Sequence, residues 1–76
     1  MMLSESVDAV RLRQDLTRQV RERTGRRIRD LTIEVGTNGV VLRGRSPSYY
    51  VKQLAQQGVW ELLPGVGLRN AIVVGN

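Results

Sequence analysis

The sequence contains no cysteine and no histidine, and these two absences exclude several kinds of site. Without cysteine there is no disulfide to cross-link a small core and no thiolate to bind a metal ion. Without histidine the chain lacks the commonest general base, the commonest metal ligand and the side chain that usually changes charge near neutral pH. Catalysis or metal binding would therefore rely on 7 carboxylates and a few hydroxyl groups, and we expect no metal and no cofactor.

Long apolar stretches are also absent. No run approaches the ~20 residues that a membrane-spanning helix needs, and the start, MMLSESVDAV, lacks the basic and apolar segments of a signal peptide. We therefore expect no transmembrane segment and a cytoplasmic chain that lies, at most, peripherally at a membrane. The length of 76 residues predicts a single small domain over residues 1–76, with its core at about 7–74.

Positive charge is what the sequence has in excess. The net charge is +5, and Lys52 is the only lysine among the 12 basic residues, so the others are arginine. A positive surface favours anionic partners such as phospholipid headgroups, acidic proteins or nucleic acids. A charge of this size is also ordinary for a small soluble domain, so solubility remains an alternative explanation.

Helical spacing covers residues 5–23. Apolar side chains recur there every three or four positions, which predicts one buried stripe of Ala9, Leu12, Leu16 and Val20. Ser4 or Ser6 is the predicted N-cap, and Gly25 follows at the position where helices often have glycine. The arginines of the last turns, Arg18, Arg21 and Arg23, are explained by the helix dipole, which cations complement at this end.

Two alternating segments then predict a hairpin. Residues 31–35 and 40–45 place every second side chain on one face, which is the period of a half-buried strand. Asn38-Gly39 between them is a strong hairpin signal because both residues tolerate positive φ. The second segment directs Val40, Leu42 and Gly44 inward and Val41, Arg43 and Arg45 outward. Gly44 predicts that a helix approaches the sheet closely at this point.

A second helix and a last strand complete the pattern. Ser46 is the predicted N-cap and Pro47 the first helical residue, and Pro64-Gly65 ends the helix near Leu62. The predicted buried stripe of this helix is Val51, Leu54, Ala55, Gly58 and Leu62, in which Gly58 indicates close packing on the sheet. Residues 68–74 alternate again, with Leu68, Asn70, Ile72 and Val74 on one face and Arg69, Ala71 and Val73 on the other.

The predicted fold class is α+β. The elements follow the order αββαβ, with a three-stranded mixed sheet and both helices packed on one of its faces, because this arrangement buries every apolar stripe. The sequence leaves open whether the strands lie in the order 1-2-3 or 2-1-3.

A set of spaced residues along these elements resembles the BON domain, a small module of bacterial osmotic-stress and nodulation proteins. The resemblance extends from Val7 to Val74 and rests on Val40-x-Leu42-x-Gly44, on Ser48, Lys52 and Ala55, on Gly65-Val66, and on Leu68-x-Asn70-x-Ile72-x-Val74. It implies the αββαβ order and a noncatalytic binding module that attaches to phospholipid membranes or to partner proteins. It implies no catalytic residues.

Three surfaces are candidate binding sites. The second helix directs Tyr49 and Trp60 away from its buried stripe, flanked by Lys52, Val59 and Leu63, with Tyr50 at the edge of the stripe. Aromatic side chains with polar tips suit a membrane interface or the anchor of a protein interface.

The outer sheet face has Arg43, Arg45 and Arg69 around a small apolar patch. The connector between the first helix and first strand includes Arg26 and Arg27.

We therefore expect a noncatalytic module that binds an anionic phospholipid surface or a partner protein. The alternative is a self-associating structural domain, a homo-oligomer. Nucleic-acid binding is less favoured, because the Gly-x-x-Gly loop that joins two helices in KH domains is absent. Enzymatic activity is not expected, because the carboxylates show no pairing at one site and no helix follows the Gly65-Val66-Gly67 turn to bind a phosphate.

Overall fold

A computed structural model describes residues 7–75 of the chain. Its elements are α1 (Val7–Thr24), β1 (Arg29–Gly36), β2 (Gly39–Ser46), α2 (Tyr49–Leu62), β3 (Leu68–Asn70) and β4 (Val73–Val74). The α+β class and the αββαβ order predicted from the sequence are confirmed. Ser4 and Ser6, the predicted caps of α1, lie outside the described residues.

The sheet has β2 at its centre. β1 pairs antiparallel with one side of β2, and β3 and β4 both pair parallel with the other side, so the open question of strand order is answered as 1-2-3. β3 and β4 keep a single register, with Leu42 opposite Asn70 and Arg45 opposite Val73. They are the predicted strand over residues 68–74, interrupted where the Ile72 N–H donates to the Asn70 side chain at 3.2 Å.

Both helices cover the same face of the sheet, and the core lies between the two layers. Its buried apolar residues come from every layer: Leu16, Val20, Ile33, Val40, Leu42, Ala55, Val59 and Ile72. None of the described elements covers the other face, where the outward residues of β1 and β2 are mostly exposed. The alternation of apolar and polar residues along the strands therefore separates a buried face of the sheet from a solvent-exposed one.

The end of α1 is formed as the sequence predicts. Gly25 has φ 63°, its N–H donates to the Glu22 carbonyl at 3.3 Å, and the Arg26 N–H donates to the Arg21 carbonyl at 2.8 Å. These two bonds form the Schellman motif that closes many helices on a left-handed glycine. Arg26 follows in the left-handed region too, at φ 60°.

The hairpin is confirmed, but its turn is shifted by one residue. Gly36 pairs with Gly39, so the two-residue loop is Thr37-Asn38 and not Asn38-Gly39. Gly39 has φ 132°, and the Val40 N–H donates to the Gly67 carbonyl at 2.8 Å. Glycine is needed at 39 because the chain passes directly against the loop before β3.

The N-cap of α2 is Ser48, so the prediction of Ser46 at the cap and Pro47 as the first helical residue is wrong. The Ser48 hydroxyl accepts the Val51 N–H at 3.1 Å. The Ser46 hydroxyl is buried and donates to the Ser48 carbonyl at 2.6 Å, which stabilises the turn at Pro47. Both serines suit a cap, and the extent of β2 through Ser46 decides between them.

The buried stripe of α2 also differs from the prediction. It follows a spacing of four residues, through Val51, Ala55 and Val59 to the partly buried Leu63. Val59 and Leu63 were expected to flank the exposed face and instead pack in the core. Leu54 is only half-buried and Leu62 is 42% exposed. The helix is therefore rotated about its axis, because it packs against α1 as well as against the sheet.

Two glycines mark close approaches, although not to the predicted neighbours. A Cβ on Gly58 would lie 3.4 Å from the Val20 Cα, so this glycine admits α1 and not the sheet. A Cβ on Gly44 would lie 2.8 Å from the Arg29 carbonyl oxygen, so this glycine allows the close approach of the first residues of β1 and not of a helix. The register of β1 on β2 shifts at the same place, between Arg29 and Thr32.

Candidate binding surfaces

The aromatic face of α2, defined by Tyr49, Lys52 and Trp60, is exposed. Tyr49 is 64% and Trp60 40% exposed, and the Lys52 Nζ lies 5.8 Å from the centre of the Tyr49 ring, within cation–π range. Tyr50 is 66% exposed, so it projects into solvent and does not pack at the edge of the stripe as predicted. The indole N–H of Trp60 donates to the Val66 carbonyl at 3.1 Å. Its ring therefore lies along the loop that follows the helix.

The charge of this helix is small. Lys52 and Glu61 are its only charged residues. Glu61 contacts Arg23 of α1 at 3.1 Å and accepts a hydrogen bond from the Gln19 side chain at 2.6 Å. The aromatic face thus presents a single cation, which limits its electrostatic attraction to an anionic surface.

The outer sheet face is the more basic surface. We define it by Arg43, Arg45 and Arg69 with the apolar Val41, Ala71 and Val73, and with Thr32 and Glu34 on β1. Pairing places Val41 beside Arg69 and Arg45 beside Val73. Val73 is 60% exposed, while Val41 and Ala71 are half-buried among their neighbours.

Among the residues that the structure describes, only one of these three arginines has an ionic partner on this face. The Arg43 Nε lies 3.3 Å from the Glu34 carboxylate across the β1–β2 pair, with both side chains largely exposed. No ion pair or side-chain hydrogen bond within residues 7–75 involves Arg45 or Arg69. Their guanidinium groups are therefore available to an anionic partner, and arginine binds phosphate and carboxylate groups with two parallel hydrogen bonds.

The connector arginines have separate surroundings. The Arg27 Nε donates to the Thr24 carbonyl at 2.9 Å and so helps to cap the end of α1. Its side chain also borders a hollow at the end of the sheet together with Arg29, Asp30 and Arg45. Arg26 points to the other side, into a groove between α1 and β1. The connector is consequently not one site.

The structure divides the sequence-predicted residues between opposite sides of the domain. Tyr49 and Trp60 lie on the outward side of the helical layer, whereas Arg45 and Arg69 lie on the sheet face that the helices do not cover. A flat surface cannot contact both sets at once. Aromatic anchors and sheet arginines therefore belong to separate candidate sites.

Comparison with known proteins gives no relative. No family model, no curated protein and no solved structure matches the chain. The resemblance to BON domains stays a prediction. Within residues 7–75, no group of three or more acidic side chains is arranged to hold a metal ion. Neither helix of this part of the chain is long and apolar enough to cross a bilayer.

Sequence reasoning missed the groove between α1 and β1. It is about 610 Å³ in volume, and Arg13, Arg18 and Arg21 line it together with Arg26. Two of these arginines were explained by the helix dipole alone. Their spacing places them on one flank of α1, beside its buried stripe, but the sequence does not show that the edge of β1 lies next to that flank.

Proposed function

We propose that the chain is a noncatalytic binding module that attaches to anionic phospholipid surfaces through the outer sheet face. One observation carries this proposal: no element within residues 7–75 covers this face of the sheet, and the residues that define it include three arginines against the single Glu34. The proposal includes a cytoplasmic chain that is peripheral at the membrane. The resemblance to BON domains agrees with it and forms part of the same hypothesis.

The chemistry of the outer sheet face suits phosphate headgroups. Arg45 and Arg69 lie on neighbouring strands, and the half-buried apolar side chains of Val41 and Ala71 lie between them. Each basic residue near an anionic leaflet contributes about 1 kcal/mol to binding. One copy of the domain is therefore expected to bind weakly and reversibly, with an affinity that depends strongly on salt and on the fraction of anionic lipid.

A second copy of the chain is the rival occupant of this face. The exposed Val73 would favour such a sheet-on-sheet contact. However, packing two outer sheet faces together would crowd the three arginines of one copy with those of the other, and like charges in contact oppose association. The charge therefore favours an anionic partner over self-association.

Charge reversal at Arg69 is expected to weaken vesicle binding about 30-fold, since it removes one favourable charge and adds an unfavourable one. The measurement is co-sedimentation with vesicles of equal parts phosphatidylserine and phosphatidylcholine, at low and high salt. The matched control is Arg11→Glu, which makes the same change of net charge at an exposed position on α1 and is expected to bind like the parent chain. Equal weakening by both variants would contradict a site on the sheet.

Trp60 tests which side of the domain meets the membrane. It is the only tryptophan and lies on the layer opposite the outer sheet face, so its emission is expected to stay unchanged while the protein binds vesicles. A blue shift on binding would move the contact to the aromatic face of α2. No binding to anionic vesicles, together with the mass of a dimer in solution, would favour the self-associating alternative.

A further inference from the structure

β1 forms a long edge of the sheet. In an antiparallel pair, directly opposed residues point their backbone groups either toward each other or both away. On β2, the Val40 N–H donates to the Gly67 carbonyl, and the Leu42 carbonyl accepts the Ala71 N–H at 2.8 Å, so these residues face the β3 side. Their partners Val35 and Ile33 therefore direct their N–H and C=O groups to the free edge.

The arginine groove lies directly beside this edge. Arg13, Arg18, Arg21 and Arg26 line it, and Leu31 and Ile33 contribute its apolar part. No acidic residue is among the described residues that line it. Asp15 approaches Arg18 from the helix surface at 3.7 Å, but both side chains are about half exposed or more, so this pair neutralises little of the charge.

We propose that the edge of β1 and the arginine groove bind an acidic segment of another protein in extended conformation. Such a segment would add to the sheet as a strand, and its backbone would satisfy the free groups of Ile33 and Val35. Alternate side chains of the added strand would face the groove, and Asp or Glu at every second position matches the arginines there. Residues 31–36 span about 20 Å at the rise of a strand, so about six residues of the partner make contact.

The arginines also decide which strand is accepted. Positive side chains along an edge discourage pairing with another copy of the same edge, because each copy would bring its own arginine groove to the contact. An acidic strand gains from the same charges. The opposite edge of the sheet is less suited, since β3 and β4 are short and interrupted at Ala71 and Ile72. β1 is therefore the edge at which a partner of this charge is recognised.

A synthetic peptide of alternating glutamate and threonine is the probe for this surface. Fluorescence anisotropy of the labelled peptide is expected to show binding that Arg21→Glu weakens by about tenfold or more, because one contact becomes repulsive. Arg11→Glu, on the same helix but outside the groove, is the control and is expected to leave the affinity unchanged. No binding of this peptide, or equal effects of the two variants, would overturn the proposal.

Strand addition has a signature that charge attraction alone does not have. Saturation with the peptide is expected to slow amide hydrogen exchange at Ile33 and Val35. The exchange rate of the Glu34 amide is expected to stay unchanged, because this amide already faces β2. Two further peptides are N-methylated, one at its glutamate nitrogens and the other at its threonine nitrogens. Only one of the two is expected to lose binding, because every second N–H of an added strand faces β1. Equal binding of both methylated peptides, or unchanged exchange at Ile33 and Val35, would contradict an added strand.

Discussion

Alanine at Gly39 is expected to lower the free energy of unfolding by about 3 kcal/mol or more. The new Cβ would overlap the carbonyl oxygen of Gly67 and lie 2.9 Å from its carbonyl carbon. Both neighbours are backbone atoms, so no side chain can move aside. The φ of 132° at Gly39 adds strain for any residue with a Cβ. Relief of the clash would also break the Val40–Gly67 hydrogen bond.

Gly36→Ala is the matched control for this experiment. Gly36 is the cross-strand partner of Gly39, but a Cβ there would have no atom within 4 Å, and its φ is not in the left-handed region. Its replacement is expected to change stability by no more than about 0.5 kcal/mol. Urea denaturation of both variants measures the difference. Similar losses at the two positions would show that Gly39 does not pass against the Gly67 loop.

Leu16→Ala is expected to cost about 2–5 kcal/mol of stability. Leu16 is completely buried in the core between the helices and the sheet, and its truncation leaves a cavity that the surrounding strands cannot fill. For a chain of 76 residues the total stability is about 4–11 kcal/mol. The substitution therefore removes a large part of the stability, and thermal unfolding is expected to occur at a much lower temperature.

Leu54→Ala separates the observed packing of α2 from the packing predicted by its sequence. Leu54 is half-buried and outside the core cluster, so its truncation is expected to cost about 1 kcal/mol. The sequence pattern places Leu54 in the buried stripe, which implies a loss as large as that at Leu16. The losses of stability are compared from the denaturant midpoints of Leu16→Ala and Leu54→Ala, provided that the free energy of unfolding depends equally steeply on denaturant in both variants. Equal losses would mean that α2 is rotated back toward the predicted face.

The features of the fold that depend on neighbouring residues were predictable. Helix α1, its end at Gly25 and the existence of the hairpin follow from periodicity and from glycine in positive φ, which are local properties. The N-cap of α2 was not predictable, because Ser46 and Ser48 have the same chemistry and the length of β2 decides between them. The buried face predicted for α2 was wrong for a similar reason. Val59 and Leu62 are both apolar, and contact with α1 selects Val59.

The candidate sites were predictable only as faces of single elements. Alternation along β2 and β3 identifies Arg43, Arg45 and Arg69 as outward, and helical spacing identifies Tyr49 and Trp60 as exposed. Which faces share a side of the molecule depends on how the layers stack, and the structure sets these two groups apart. The groove between α1 and β1 joins elements through tertiary packing alone, so no local pattern indicates it.

The register of β3 and β4 on β2 has a consequence for the order of folding. Val40 pairs with Leu68 and Ser46 with Val74, and the whole of α2 lies in the intervening chain. The hairpin closes a short loop, whereas this parallel pairing closes a long one at a higher entropic cost unless α2 has already formed. Docking of the last strand, with Ile72 entering the core, is therefore expected to follow the helices and the hairpin, and Ile72→Val should mainly accelerate unfolding and leave the folding rate unchanged.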